Sequence, residues 1–180
     1  LDKELNDQFN EACELAFAPC RAFYAEQANI RTNHLQQKLE IIDKLDVLLT
    51  QSKVEQVNWR GIDNQLHKLL KEWRDSGEVD RAEYVKIQPK FNKLIEPLKN
   101  AINAFHHDNA QLKQALINKA KLQLEREDVF SAINELKTLQ YNWQEIGHAG
   151  PNKENSLWMS FRKINDKAFA KRNEIKQQEQ

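Results

Sequence analysis

The residue types able to do chemistry are sparse and poorly grouped. Cys13 and Cys20 are the only cysteines. On one helix they would stand about 10 Å apart along the axis, beyond the roughly 7 Å that a disulfide spans. Both fall on apolar lines at helical spacing, where a buried structural thiol is expected; a reactive thiolate needs an exposed electropositive setting. Two thiols without a disulfide framework read as cytosolic. His106, His107 and Asp108 form the one local cluster of metal-ligand types. Neighbours on a helix point about 100° apart, and His34, His67 and His148 are scattered, so the cluster reads as solvated helix surface. Glu145 and His148 have the Glu-x-x-His spacing of di-iron bundles. No second such pair occurs, and Gly147 is expected to end the helix before His148. Phosphate loop, nucleophile elbow and dinucleotide fingerprint are all missing. The residues therefore predict no catalytic, cofactor-binding or metal-binding set: a protein that is not an enzyme.

Charge is more informative than nucleophiles. The chain balances 27 basic against 27 acidic residues, which argues against whole-molecule attraction to nucleic acid or anionic lipid. The balance is uneven along the chain, at −4 over residues 1–20 and +4 over residues 151–176. Lys163, Lys167 and Lys171 are spaced by four and predict one basic ridge on a helix, with Arg172 beside it. Lys86, Lys90 and Lys93 predict a smaller one. These seven residues are the candidate partner-binding set, and a plain solvated face is the competing reading.

The elements that must carry these residues are helical throughout. Forty per cent hydrophobic and 30% charged residues, with only 4 Gly and 4 Pro, suit long helices better than a sheet. A mean hydropathy of −0.80 fits an elongated array with much helix surface in water. No run approaches the roughly 20 apolar residues of a membrane span, and the opening residues do not have the basic-then-apolar pattern of a leader. Leu5, Phe9, Ala12 and Ala16 recur at helical steps, with Cys13, Phe17, Cys20 and Tyr24 alongside. Pro19 is expected to kink or end that helix, and a second helix to run from about Asn33 to Leu49. Ile62, Leu66, Leu69, Leu70 and Trp73 form an amphipathic stripe closed by Gly77. Asp80 and Glu83 suggest a capping box for the next helix, which is expected to break or bend near Pro89 or Pro97. Ile133, Leu136, Leu139, Trp143 and Ile146 repeat the stripe, with Gly147 as its stop. Asn152 is the expected cap of a last helix carrying Leu157, Phe161, Ile164 and Ala168. Trp73, Trp143 and Trp158 read as core.

Shifting the chain by 70 residues lays Trp73 on Trp143, Gly77 on Gly147 and Phe91 on Phe161. A shift of 152 lays Leu5 on Leu157, Phe9 on Phe161 and Phe17 on Phe169. A shift of 81 lays Leu35 on Leu116 and Lys38 on Lys119. The predicted fold is thus all-α, an array of antiparallel helical hairpins from about two and a half tandem repeats. Residues 1–50 would be the C-terminal part of one repeat, 51–128 a complete repeat and 129–180 most of a further one.

The stretches NWQEIGHAGPNKENSLWMSFRKINDKAFAKR and LLKEWRDSGEVDRAEYVKIQPKFNKLIEPL resemble the bacterial repeat family called domain of unknown function 349. The family pattern falls on Trp143, Gly147, Leu157, Trp158, Phe161, Phe169, Lys171 and Arg172. The middle copy keeps Trp73, Gly77 and Phe91 but has Gln88 in place of the pattern's Trp. The resemblance implies a bacterial, intracellular protein and a longer parent with several copies, of which a chain opening on Leu1 is a fragment. It brings no reaction and no catalytic residues.

The expected function is a non-catalytic scaffold or interaction module binding a protein partner, or other repeats of its parent, in the bacterial cytoplasm. The alternative is an RNA- or ribosome-binding module acting through the basic ridges, and a third reading is a spacer. No cofactor, membrane or small-molecule substrate is expected.

Overall fold

All of residues 1–180 are described by a computed structural model containing five helices and no strand. They are α1 (Asp2–Gln51), α2 (Trp59–Asp75), α3 (Arg81–Gln123), α4 (Val129–Glu145) and α5 (Glu154–Gln178). The all-α expectation therefore holds. No helix is long and apolar enough to cross a membrane.

The prolines do not end helices. Pro19 lies within the 50 residues of α1, and Pro89 and Pro97 lie within the 43 of α3. The expected helix from Asn33 to Leu49 is accordingly the second half of α1 rather than a separate element. Each proline removes one backbone bond and frees the carbonyl four residues earlier. Pro19, Pro89 and Pro97 are exposed, as are Leu15, Val85 and Lys93 that carry those carbonyls, so water can satisfy them.

The caps are local and polar. Asn58 Oδ1 accepts from the Gly61 amide at 3.1 Å and starts α2. Asp128 caps α4 by accepting from the Ser131 amide at 3.2 Å and the Ser131 hydroxyl at 2.6 Å. Those bonds hold its carboxyl below the ordinary range. Two expected caps differ. Asp80 places its carboxylate on Arg31 Nε at 2.8 Å instead of closing a capping box. Asn152 lies in the turn before α5, where the Glu154 carboxylate reaches back to the Ala149 amide at 2.8 Å.

The chain forms two compact units, one from Leu1–Glu55 and Asn64–Glu96, the other from Gln56–Asp63 and Pro97–Gln180. The first buries Ile41, Leu45 and Leu48 of α1, Leu66, Leu69 and Trp73 of α2, and Ile87, Phe91 and Ile95 of α3. The second packs Ala110, Leu116, Ile117 and Ala120 of α3 against Ile133, Leu136, Leu139 and Trp143 of α4. Leu157, Phe161, Ile164 and Ala168 of α5 complete that cluster. In each unit the buried residues recur at three- and four-residue steps, so one stripe per helix faces inward.

Candidate interaction surface

Both units are built around the same three side chains. In the first, the Trp73 and Phe91 rings stack with centroids 3.9 Å apart and planes 12° apart. In the second, Trp143 and Phe161 stack at 4.4 Å and 9°. A buried lysine from the long helix closes each stack, Lys38 at 4.2 Å from the Trp73 centroid and Lys113 at 5.1 Å from that of Trp143. The face of an indole attracts a cation, and more so away from water. The ammonium groups differ in their second contact. Lys38 donates to the Trp73 carbonyl at 3.1 Å, whereas Lys113 donates to Glu154 Oε1 at 2.6 Å. Burial pushes the Lys38 pKa below its ordinary value. Burial pushes the Glu154 carboxyl up, but the hydrogen bonds from Lys113 and the Ala149 amide and the charges of Lys113 and His148 outweigh it and hold the group low.

The turn after each Trp is tied to the same long helix. His34 Nδ1 meets the Glu78 carbonyl at 2.6 Å, which makes Nδ1 the protonated nitrogen, since a carbonyl only accepts. Asn109 Nδ2 donates to the His148 carbonyl at 2.9 Å in the other unit. Gly77 has φ of +86° and faces the His34 ring, so both conformation and space call for glycine. At Gly147 an added Cβ would come within 2.5 Å of the Phe105 ring. There only close approach demands glycine.

These contacts pair Lys38 with Lys113 and His34 with Asn109, an offset of 75 along the long helices. The offset of 81 paired Lys38 with Lys119, which is exposed. The two lysines are the residues that sequence reasoning passed over. Their signal is that they sit in line with Ile41 and Leu45, and with Leu116 and Ala120, at positions an apolar residue normally takes.

Other candidates are rearranged. His107 and Asp108 are exposed, but His106 is largely buried, with Nε2 at 3.7 Å from Asp63 Oδ2 and its ring 5.5 Å from that of His148. His106 is therefore not solvated surface, because His148 and Gly150 of the turn after α4 pack against it, with Asp63 of α2 beside its Nε2. No group of three metal-ligand side chains converges. Cys13 is half-buried and Cys20 exposed, so neither is the core thiol expected; the part of α1 that carries them has nothing packed on its apolar line. Trp158 is 45% exposed, at the edge of the Trp143–Phe161 stack rather than within it.

Of the seven candidate binding residues, Lys163 and Lys167 are exposed on α5 and flank a shallow depression with Met159, Arg162, Asp166 and Ala170. Lys171 is exposed too, but its ammonium is engaged, donating to the Leu124 carbonyl at 3.3 Å. Arg172 is half-buried, its guanidinium 4.8 Å from the Phe169 centroid. On α3, Lys86, Lys90 and Lys93 are exposed, and Lys86 lies 3.9 Å from Glu83.

Five helices and a twice-built Lys–Trp–Phe stack define an all-α protein of tandem units. The model of the family described as Domain of Unknown Function (DUF349) matches residues 4–82 and 81–152, and the chain belongs to that family. Neither the curated proteins nor the solved structures give a match.

Proposed function

We propose that the chain is a non-catalytic helical-repeat module that binds a protein partner in the bacterial cytoplasm, with the outward side of α5 as its contact face. The observation that carries this is the depression on α5. Two exposed lysines, Lys163 and Lys167, lie along one face of α5 between the exposed side chains of Met159 and Ala170. Exposed apolar side chains interleaved with charged ones suit a protein contact, where the charge steers approach and the apolar groups contribute burial. Asp166 also stands in the set, only 3.9 Å from Arg162. That carboxylate offsets part of the ridge's positive charge, which argues against a surface built mainly to neutralise phosphates.

The non-catalytic reading has separate support. The buried polar side chains are engaged in the fold: Lys38 and Ser76 on the Trp73 carbonyl, Lys113 on Glu154, and Asn109 on the His148 carbonyl. Asn165 donates to the Phe161 carbonyl and accepts from Gln140. The cytoplasmic reading rests on the unpaired cysteines.

Affinity capture from bacterial lysate, with and without nuclease, tests the proposal. A protein retained after nuclease and lost with Lys163→Glu/Lys167→Glu is the expected result. Capture that vanishes with nuclease, and falls steeply with salt, would replace it with RNA binding.

A further inference from the structure

The first half of α1 repeats the apolar pattern of α5 without its cover. Leu5, Phe9 and Ala16-Phe17-Ala18 match Leu157, Phe161 and Ala168-Phe169-Ala170. Phe161 is 1% exposed and Phe9 is 67% exposed. Leu5 and Phe17 are exposed as well, whereas Leu157 is buried and Phe169 partly so. Scattered apolar residues on a surface need no explanation, but a continuous stripe of this kind does.

The chain itself shows what covers such a stripe. Phe91 and Phe161 each stack on a Trp from a short helix that runs into a glycine turn. In each case a buried lysine from a long helix lies against that Trp. Charge points the same way. Lys113 finds its carboxylate in Glu154, at the start of α5. The residue of α1 in that register is Asp2, also exposed and acidic, within a stretch of net charge −4. A neutral or basic residue at that position would leave an incoming ammonium without a counterion.

We propose that Asp2, Leu5, Phe9 and Phe17 dock a helical pair with the chemistry of this chain's own residues 97–152. In that complex a Trp stacks on Phe9 and a buried Lys pairs with Asp2. The contact lies on a different helix from the α5 depression, and it holds or fails independently of the proposed partner binding there.

A fusion supplies the occupant in register. Residues 97–152 are placed directly before Leu1 of the full chain, so that Asn152 runs into Leu1 as it otherwise runs into Lys153. Amide hydrogen exchange over residues 5–17 is compared with that of the unextended chain. Exchange in the fusion should slow by about a hundredfold. Phe9→Ala, or Trp143→Ala in the appended segment alone, should return it to the unextended rate, and Asp2→Lys should remove about tenfold of the protection. Because Phe9 is exposed in the unextended chain, Phe9→Ala does not unfold that chain, and its unchanged melting temperature there provides the control. Unchanged exchange in the fusion overturns the proposal, as does protection that survives Phe9→Ala. Sedimentation of the unextended chain covers the other occupant. Self-association abolished by Phe9→Ala would assign the stripe to a second copy and overturn it too.

Discussion

The ammonium of Lys38 sits 4.2 Å from the centre of the Trp73 ring and donates to that same residue's carbonyl oxygen at 3.1 Å. A lysine only 7% exposed is costly unless paired, yet no carboxylate is bonded to it. The Trp73 carbonyl has a second donor, the Ser76 hydroxyl at 2.7 Å, and stays satisfied without the lysine. Lys38→Met, which keeps the apolar stem and removes the charge, should therefore leave stability unchanged or raise it by about 1 kcal/mol. Lys38→Ala, which also removes the stem, should lose about 2 kcal/mol. Urea denaturation of the two variants separates stem from charge, and a larger loss in Lys38→Met than in Lys38→Ala would contradict the account.

The same burial sets a pH dependence. A lysine whose pKa is lower in the folded than in the unfolded chain binds fewer protons when folded. Between the lowered value and the ordinary 10.5, stability therefore rises with pH, and the cost of the buried charge is fully present below that window. Wild-type protein should show this alkaline gain in melts across the window, and Lys38→Met should lack it.

At Lys113 the partner is a carboxylate, and the charged form stabilises where that of Lys38 costs; stability again rises with pH, now in the acid range. Glu154 is held low, so its contribution is full above the ordinary carboxylate value of 4.5 and disappears as pH falls through the lowered one. Removing one member of a largely buried pair strands the other. Glu154→Ala should cost about 3 kcal/mol near neutral pH, and Lys113→Met/Glu154→Met together less than Glu154→Ala alone. Acid titration of unfolding should lose the step assigned to Glu154 in both variants. A Glu154→Ala cost below that of the double variant would show that the pair is not the source.

How much of this was legible in the residues follows from what helix periodicity reports. A stripe of Leu, Ile and Trp marks which side of a helix can be buried, and Trp73, Gly77, Phe91 and their counterparts Trp143, Gly147 and Phe161 recur without gaps. Two things were not legible. Periodicity does not tell a covered stripe from a bare one, so Leu157–Phe161 and Leu5–Phe9 look alike while only the first is buried. Residue type also misleads where charge goes inside: Lys38 and Lys113 anchor the recurrence at an offset of 75, whereas matching Leu35 to Leu116 and Lys38 to Lys119 placed it at 81. The prolines misled for a related reason, since a break is expected from the lost bond and prevented by exposure of the freed carbonyl.

Glycine at the first turn should be far less replaceable than glycine at the start of α2. Gly77 holds φ at +86° with its open side filled by the His34 ring, while Gly61 is helical and meets only the Asn58 side chain, at 2.8 Å. Gly77→Ala combines backbone strain with displacement of a ring that anchors the turn through the Glu78 carbonyl, and should cost about 2–3 kcal/mol. Gly61→Ala gains helix propensity, offsetting a small shift of Asn58, and should stay within about 0.5 kcal/mol of wild type. Comparable losses in chemical denaturation would show that His34 moves aside freely.

Phe161 and Phe9 offer the sharpest comparison, because they share a register and differ in cover. Phe161 is sealed between Trp143 and the α3–α4 interior, so Phe161→Ala removes a stacked ring and leaves a cavity, at a cost of about 3–5 kcal/mol. Phe9 is in water, and Phe9→Ala should change stability by no more than about 0.5 kcal/mol. Thermal melts read both, with Trp fluorescence reporting loss of the Trp143 environment in Phe161→Ala alone. A large loss in Phe9→Ala would mean that the chain by itself already buries this part of α1, and the equivalence of the two stripes would then have a cover within the molecule rather than outside it.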